Sequence, residues 1–159
     1  LLEVVLFYKG FSALVCHRAA RRKWYQSSNG TTASSNGTTK KNKSYRSFVS
    51  LFLQSQASSL FGMDIHPCAT IGCGVMFDHG TGVVIGETAR VGDGCTILHG
   101  VTLGGTGKDK HVDRHPKVGD HVLIGANASI LGNIPIGNRC KIGAGSVVLR
   151  PLPSGVTAV

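Results

Sequence analysis

Aliphatic side chains recur at every sixth position along most of this 159-residue chain. The regular positions are Ile65, Ile71 and Phe77, then Ile85, Val91, Ile97 and Leu103, and then Val118, Ile124, Ile130, Ile136, Ile142 and Val148. A short fixed period is typical of a solenoid, in which each repeat contacts only its neighbours. A period of six does not match a helical face, which repeats every 3.6 residues, and the pattern extends well past the length of an ordinary strand. The pattern therefore predicts a β solenoid, a parallel β-helix of hexapeptide repeats in which three hexads close one triangular coil.

Glycine directly follows many of the repeated aliphatic residues, as at Gly119, Gly125, Gly137 and Gly143. Because glycine has no Cβ, we expect these positions to form the tight corners of the coil. The 22 glycines of the chain thus indicate turns rather than disorder.

The region before the repeats divides into two helical patterns and one polar segment. Residues 1–26 and 44–61 have apolar residues at helical spacing, with Phe11, Leu14 and Val15 on the predicted apolar face of the first. Residues 27–43 contain a near-perfect tandem copy of SSNGTT, which predicts a disordered low-complexity insertion. We expect residues 1–62 to be part of a helical domain and residues 63–159 to be the β-helix. The way the chain begins and ends is typical of a segment of a longer protein.

The formal net charge of +9 is concentrated before the repeats. Residues 1–50 hold nine Lys and Arg residues and only Glu3, whereas residues 51–159 hold eight Lys and Arg against seven Asp and Glu. Neither aromatic interleaving nor a recognition motif accompanies the basic residues, so we expect a solvated basic face or linker rather than a nucleic-acid or membrane partner. No apolar run reaches the roughly 18 residues that a membrane span requires.

The five cysteines contain no C-x-x-C pair. Zinc sites usually use such pairs together with a second pair or with histidines, so the pattern predicts no metal site. Small thiols in a reducing compartment are the simpler interpretation, and they indicate a cytoplasmic location, with a plastid location left open.

Two breaks interrupt the repeat, and both are rich in glycine, aspartate and histidine. The first is a slip of two residues at DHGTGVV, and the second is a gap of fifteen residues between Leu103 and Val118. Histidine exchanges a proton near neutral pH, and arginine binds a carboxylate with two parallel hydrogen bonds. The breaks are therefore candidate functional sites, although histidines on a solenoid are also common as plain surface residues. The candidate groups are Asp78, His79, Asp113, Arg114 and His115.

The motifs at the breaks resemble those of one enzyme family. DIHPCATIG, FDHGTGVVIGETA, ILHGVTLGGTGK, DRHPKVG and CKIGAGSVVL are similar to the catalytic domain of serine O-acetyltransferases, and the stretches before residue 64 resemble that family's last N-terminal helices. The resemblance implies a left-handed β-helix preceded by the end of a helical domain. It also implies transfer of an acetyl group from acetyl-CoA to the hydroxyl of L-serine, which gives O-acetylserine in cysteine biosynthesis.

The resemblance assigns roles residue by residue. His79 is the expected general base, Asp64 on a neighbouring coil orients it, and Asp78 binds the substrate ammonium group. Arg114 and His115 are expected to hold the substrate carboxylate. The residues expected to line the acetyl-CoA groove between subunits are Gly105, Ala126, Lys141 and Ala144. Acetyl-CoA is then a co-substrate, and no permanently bound cofactor is expected.

The resemblance also implies partners and shows departures. A homotrimer or a dimer of trimers is expected, and the family's tail, which would follow Val159, docks into cysteine synthase. A segment with the sequence Arg-Asp-Pro-Ala would precede Leu1 and contribute to serine binding. Gly80 stands where the family usually has alanine, a replacement of one small residue by another, and the loop between Lys108 and Asp113 is one residue longer.

Three other functions fit parts of the pattern. A hexapeptide acetyltransferase that acts on a sugar or a xenobiotic would share the coil and the histidine, but it would not need DRHPK. A γ-class carbonic anhydrase would place three histidines on a metal between subunits. A non-catalytic scaffold partner of cysteine synthase would need neither the carboxylates nor the histidines of the two breaks, and their presence argues against it.

Overall fold

Two helices lead into a stack of short strands. The computed structural model describes residues 8–28, 38–107 and 113–159, with side chains at all of these except 27–28 and 38–46. Helix α1 spans Lys9–Ser28 and helix α2 spans Thr38–Phe61. Gly62 follows α2 with a φ of 67°, and its N–H donates to the Ser58 carbonyl oxygen at 2.9 Å. Glycine adopts this left-handed conformation at little cost, so it ends the helix and turns the chain into the first strand.

The insertion predicted at residues 27–43 overlaps both helices. Residues 27–28 form the end of α1, and residues 38–43 form the beginning of α2. Residues 29–37 lie outside the described part of the chain. The division of the chain after residue 62 stays a prediction.

In the described residues 62–107 and 113–159, fourteen strands of two or three residues follow in chain order. They are β1 (Asp64–Ile65), β2 (Thr70–Ile71), β3 (Met76–Asp78), β4 (Val84–Ile85), β5 (Arg90–Val91), β6 (Thr96–Leu98), β7 (Thr102–Gly104), β8 (Lys117–Val118), β9 (Leu123–Ile124), β10 (Ser129–Leu131), β11 (Pro135–Ile136), β12 (Lys141–Ile142), β13 (Val147–Val148) and β14 (Thr157–Ala158).

The strands stack into three parallel sheets that form the sides of a triangular coil. The first sheet has the order β1-β4-β7-β10-β13, the second β11-β8-β5-β2 and the third β14-β12-β9-β6-β3. Through most of the stack, every third strand of the chain joins the same sheet, so three strands make one coil. Backbone N–H groups of one coil donate to carbonyl oxygens of the next, as from Asp64 to Val83 at 2.8 Å and from Thr70 to Ala89 at 3.0 Å. The predicted parallel β solenoid of hexapeptide repeats is confirmed.

The repeated aliphatic side chains fill the inside of the coil. All thirteen positions that define the six-residue period are at most 7% exposed. Burial of each large aliphatic side chain contributes about 1.5–3 kcal/mol, so this column is the main source of stability. Cys95 and Cys140 occupy corner positions in the same core, and their thiols donate to the carbonyl oxygens of Gly119 at 3.1 Å and Pro153 at 3.0 Å.

The glycines that follow the aliphatic residues serve the stacking of coils rather than unusual backbone angles. Gly72, Gly92 and Gly119 do not have positive φ values. A Cβ on Gly92, however, would lie 2.6 Å from the carbonyl carbon of Gly119 in the next coil. These glycines lie at the corners of the coil as expected, and the Cβ is excluded there because the next coil lies in close contact.

Helix α1 packs on the first coil through small residues. A Cβ on Gly10 would lie 2.6 Å from the carbonyl oxygen of Phe77, and Ala13 is 2% exposed. Phe11 and Val15, on the predicted apolar face, are 40% and 52% exposed. The helix therefore approaches the solenoid closely along a face that hydrophobicity alone does not identify. In the described parts of the chain, neither helix is both long and apolar enough to cross a membrane.

Two arginines of α1 cap the beginning of the solenoid. Several carbonyl oxygens of the first coil face the helices, where no preceding coil donates hydrogen bonds to them. Arg18 donates to the carbonyl oxygens of Ile71 and Gly72 at 2.8 and 2.7 Å. Arg21 donates to two carbonyl oxygens of the corner before β2, at 2.6 and 2.7 Å. The expectation of a solvated basic face is therefore wrong for these two residues, whose charges replace the hydrogen bonds of a missing coil.

Candidate active site

The two breaks in the repeat lie on different edges of the triangular coil. The first falls between β3 and β4, where the chain passes from the third sheet to the first. The second falls between β7 and β8, where the chain passes from the first sheet to the second. We call these the His79 edge and the Arg114 edge. A single copy of the chain therefore holds the predicted site residues in two separate groups.

His79 occupies a left-handed turn at the end of β3. Its φ is 59°, a value that residues other than glycine adopt infrequently, and Gly80 continues the turn with a φ of 63°. Histidine is among the residues that adopt this conformation more readily, and His121, Asn127 and Arg139 have similar φ values at other corners of the coil. The side chain is 79% exposed, and its Nε2 lies 3.7 Å from Oδ1 of Asp78. The ring of His99, one coil further on, lies edge-on at 6.3 Å between centroids.

A cavity of about 410 Å³ adjoins His79 and Asp78. Its other wall is formed by Tyr8 and by the first two residues of α1, Lys9 and Gly10. The ammonium group of Lys9 donates a hydrogen bond to the hydroxyl of Thr81, which joins the helix to the break. The exposed histidine thus faces a space large enough for a small substrate.

Asp64 begins β1 on the same edge, but it does not pair with His79 in this structure. Its Oδ1 accepts a hydrogen bond from the side-chain amide of Gln54 in α2 at 2.5 Å. Asp64 is the register partner of Val84. Asp64 is therefore the first residue of the first coil, and His79 follows the last strand of that same coil. The prediction that Asp64 lies on a neighbouring coil is wrong. A cavity of about 380 Å³ between α2 and the solenoid reaches its carboxylate.

On the Arg114 edge, the hydroxyl of Thr88 organises the second break. It accepts hydrogen bonds from the backbone N–H groups of Arg114 at 3.2 Å and His115 at 3.3 Å. The same oxygen lies 2.8 Å from Nδ1 of His115, and the backbone N–H of Thr88 donates to that nitrogen at 3.1 Å. Thr88 follows β4 one coil earlier, so contact between coils fixes the conformation of DRH.

His115 is buried and neutral in this arrangement. It is 6% exposed, and its ring packs so closely on Gly86 that a Cβ there would lie 2.1 Å from Nε2. Burial lowers the pKa of His115, and the charges of Arg114 and Lys117 lower it further. Because Nδ1 accepts the Thr88 N–H, the neutral ring carries its proton on Nε2.

Asp113, directly before Arg114, is held by an ion pair. The ammonium group of Lys117 donates to Oδ1 of Asp113 and to the carbonyl oxygen of His115, both at 2.6 Å. The hydrogen bond from Lys117 holds the pKa of the Asp113 carboxyl below its usual value. Asp113 is thus a structural anion in this state.

The residues predicted to bind acetyl-CoA are also divided between the edges. Ala126 and Ala144 lie at successive corners of the His79 edge, where the N–H of Gly145 donates to the Ala126 carbonyl oxygen at 2.8 Å. Lys141 is exposed at the start of β12 in the third sheet. Gly105 instead lies on the Arg114 edge, where a Cβ would come within 3.2 Å of Arg114 Cδ. It therefore lies against the side chain of Arg114.

Two contributors were missed at the level of the sequence. Thr88 supports Arg114 and His115 from a different coil, and Gln54 holds Asp64 from α2. The sequence did contain a signal for the separation of the two breaks. If three hexads form one coil, counting hexads from Ile65 places the first break after the third side of a coil and the second break after the first side. No local signal identifies Thr88 or Gln54, since their contacts depend on stacking.

The chain is similar to known transferases over almost all of its length. The family model "Bacterial transferase hexapeptide (six repeats)" matches residues 115–150. The chain is 57% identical over its whole length to the probable serine acetyltransferase 4 of Oryza sativa subsp. japonica, of which it covers 44%. It is 47% identical over 97% of its length to the serine acetyltransferase of Escherichia coli (strain K12), of which it covers 50%. The chain thus spans about half the length of these relatives.

Solved structures give the same result. The structure of soybean serine acetyltransferase complexed with serine superimposes with a TM-score of 0.84 at 50% identity, over 98% of this chain and 56% of the soybean chain. The structure of serine acetyltransferase in complex with coenzyme A from Brucella abortus strain S19 superimposes with a TM-score of 0.85 at 48% identity. The match covers 98% of this chain and 55% of the Brucella chain. These matches include both the helices and the solenoid. Over nearly its whole length, the chain is thus similar in sequence and in fold to serine acetyltransferases, and residues 115–150 match the hexapeptide model of bacterial transferases.

Proposed function

We propose that the protein transfers the acetyl group of acetyl-CoA to the hydroxyl of L-serine. The observation that carries this proposal is the exposed His79 on its left-handed turn, which faces a cavity and lies beside the carboxylate of Asp78. Relatives solved with serine and with coenzyme A support the choice of both substrates. The product, O-acetylserine, places the reaction in cysteine biosynthesis.

The proposed chemistry needs one base and no covalent enzyme intermediate. His79 takes the proton of the serine hydroxyl while the oxygen attacks the thioester carbonyl carbon. The C–S bond breaks, and the coenzyme A thiolate takes the proton back from the imidazolium. Asp78 binds the serine ammonium group as a counter-charge. Asp64 is proposed to orient the imidazole through its second carboxylate oxygen, Oδ2, while Oδ1 accepts from the amide of Gln54.

The serine carboxylate is proposed to bind to Arg114 and to the Nε2–H of His115. These groups lie on a different edge from His79, so we propose that each complete site uses the His79 edge of one copy and the Arg114 edge of its neighbour. In the same way, Gly105 of one copy is proposed to line the acetyl-CoA groove together with residues of the neighbouring copy, namely Ala126, Lys141 and Ala144. A trimer closes such a ring of contacts, because each copy presents one edge of each kind.

The outer faces of the sheets support this assembly. Among the described strands, the large exposed apolar residues belong to the first and third sheets, which meet at the His79 edge: Met76, Val84, Leu123 and Val147. The second sheet presents Thr70, Arg90, Lys117 and Pro135 instead. We therefore propose that a second copy covers the apolar faces and leaves the second sheet in water. A dimer of trimers and binding to cysteine synthase are further proposals, as is a cytoplasmic location, which the five free cysteines support.

The test is an assay of the full-length protein for coenzyme A release with acetyl-CoA and L-serine, with O-acetylserine identified by mass spectrometry. We expect release to depend on serine and to fall for serine methyl ester, which lacks the carboxylate. Release with a sugar or an aromatic xenobiotic instead of serine would replace this proposal with the alternative acetyltransferase. Release with no acceptor would show only thioester hydrolysis.

The division of the site between copies has its own test. Two inactive variants, His79→Asn and Arg114→Ala, should regain part of the activity when they are unfolded and refolded together, because mixed trimers contain some sites with neither substitution. Each variant refolded alone is the control. Failure of the mixture to regain activity, with light scattering that shows mixed trimers, would contradict a shared site. An active monomer would contradict it as well.

A further inference from the structure

We propose that His66, Cys68 and Glu87 form a zinc-binding site on the Arg114 edge. One ligand atom of each residue lies within 4.8 Å of the other two. The sequence predicted no metal site, because these residues form no pattern along the chain. The inference is independent of acetyl transfer, since none of the three belongs to the proposed catalytic or substrate-binding groups.

The stacking of coils brings the three side chains together. His66 and Cys68 lie in the corner between β1 and β2, and Glu87 lies in the corner one coil further on, between β4 and β5. Ile65 and Ile85 are register partners, so Glu87 stacks on the position between His66 and Cys68. The carboxylate of the second coil therefore lies beside the imidazole and thiol of the first.

Neighbouring groups hold the corner in place. Arg21 donates to the carbonyl oxygen of Cys68 at 2.6 Å, which fixes the backbone between the two ligands. The ring of Trp24 packs edge-on against His66 at 5.5 Å between centroids. Both His66 and Cys68 are half-buried, whereas Glu87 is exposed and its side chain is free to adjust.

The donor set and spacing suit zinc. Nitrogen, sulfur and oxygen ligands bind Zn²⁺ at about 2.0–2.3 Å, which places tetrahedral ligands roughly 3.5 Å apart. The present spacing therefore requires side-chain movement of about 1 Å, which the exposed Glu87 can supply. Binding through Nδ1 of His66 would replace its hydrogen bond from the Cys68 N–H at 3.1 Å, a loss that a Zn–imidazole bond outweighs.

The charges of the ligands and the space for a fourth ligand also fit a divalent cation. A thiolate and a carboxylate together neutralise Zn²⁺, and a thiolate ligand selects zinc over magnesium and calcium. Beside the cluster lies a cavity of about 250 Å³, lined in part by Cys68, Glu87, Tyr25 and Asp113. Three protein ligands leave a fourth position for water, and this cavity has room for it.

The test uses the full-length protein, reduced and freed of metal with a chelator, and titrated with Co²⁺ as a spectroscopic probe. We expect about one equivalent to bind with a near-ultraviolet charge-transfer band typical of cobalt–thiolate bonds, and Zn²⁺ to displace it. Cys68→Ser should abolish the band. Cys73→Ser is the matched control, because Cys73 is an exposed thiol outside the cluster, and it should keep the band.

Glu87→Gln provides a second variant that leaves the exposed surface and the fold unchanged, and it should weaken Co²⁺ binding about tenfold or more. Circular dichroism of each metal-free variant monitors folding. The proposal is overturned if the wild-type protein shows no thiolate band, if Cys73→Ser removes the band, or if Glu87→Gln binds Co²⁺ as tightly as the wild type.

Discussion

The hydroxyl of Thr88 lies 2.8 Å from Nδ1 of His115, although 27 positions separate the two residues along the chain. The same hydroxyl accepts the N–H groups of Arg114 and His115. Thr88 thus sets the position of two groups proposed to bind the serine carboxylate, while it belongs to a regular corner of the preceding coil.

Replacing Thr88 by valine should therefore raise the KM for serine about tenfold or more and leave the KM for acetyl-CoA nearly unchanged. Valine keeps the shape but leaves two backbone N–H groups without their acceptor, which costs roughly 1–3 kcal/mol. Thr88→Ser keeps the hydroxyl and should restore serine binding. Steady-state kinetics of both variants in the full-length protein provide the measurement. Equal increases in both KM values would instead indicate a general loss of structure.

His79→Asn should lower kcat by roughly two to four orders of magnitude, the usual contribution of a positioned general base. Asparagine is the suitable replacement because it tolerates the left-handed conformation, so the turn should persist. His121→Asn is the matched control, since His121 also has a positive φ, 56°, but lies on the edge between the second and third sheets. Near-normal kcat in the His79 variant would remove the base from the mechanism.

Arg18→Ala should lower the free energy of unfolding by about 1–2 kcal/mol, because it leaves the carbonyl oxygens of Ile71 and Gly72 without their donors. The range is modest because the side chain is partly exposed to water. Arg22→Ala, at an exposed position of the same helix, should change stability by less than about 0.5 kcal/mol. Urea unfolding compares the two variants. Equal effects would mean that the general positive charge of α1, not the cap, determines stability.

His17 should make the protein less stable in acid. It is 3% exposed between the helices and the first coil, and burial lowers its pKa to about 4, with smaller contributions from Arg21 and Arg18. The folded protein therefore binds fewer protons than the unfolded chain below pH 6.5, so stability is complete above that pH and falls as the pH approaches 4. Since one pKa unit corresponds to about 1.4 kcal/mol, the loss attributable to His17 is roughly 3 kcal/mol.

The measurement is the free energy of unfolding against pH for the wild type and for His17→Leu, which fills the same space without titrating. The difference between the two curves should change most between pH 6.5 and 4 and should reach its full value below pH 4. Parallel curves would show that other groups, such as His115, account for the acid sensitivity.

Gly80→Ala should destabilise the protein by roughly 1–2 kcal/mol, more than a replacement of one small residue by another suggests. A Cβ at Gly80 would lie 2.7 Å from Sδ of the buried Met63, and the φ of 63° adds backbone strain. Gly145→Ala is the control, because its φ of 72° is similar and no heavy atom lies within 4 Å of its added Cβ. Adding Met63→Val to Gly80→Ala should recover the part due to contact, which a double-mutant cycle measures. Equal costs at the two glycines would exclude the contact with Met63.

The sequence by itself determined the solenoid and its interior. One buried aliphatic residue per hexad is a local, strictly periodic requirement, so every predicted core position from Ile65 to Val148 is buried. The breaks were visible for the same reason, since a site on a regular scaffold must interrupt the period. His79 and Arg114 could be selected in this way because each lies within a break.

Only the tertiary structure decided how the coils and helices meet. Three contacts connect stacked elements: Thr88 with His115, Gln54 with Asp64, and Arg18 with Ile71. None of them produces a repeating pattern in the sequence. The period also carries no information about which helix face packs on the first coil, where Gly10 is favoured because it allows close approach. Local patterns record which side chains face inward along one strand, whereas contacts between coils depend on residues about twenty or more positions apart. The zinc site proposed at His66 and Glu87 belongs to this second class for the same physical reason.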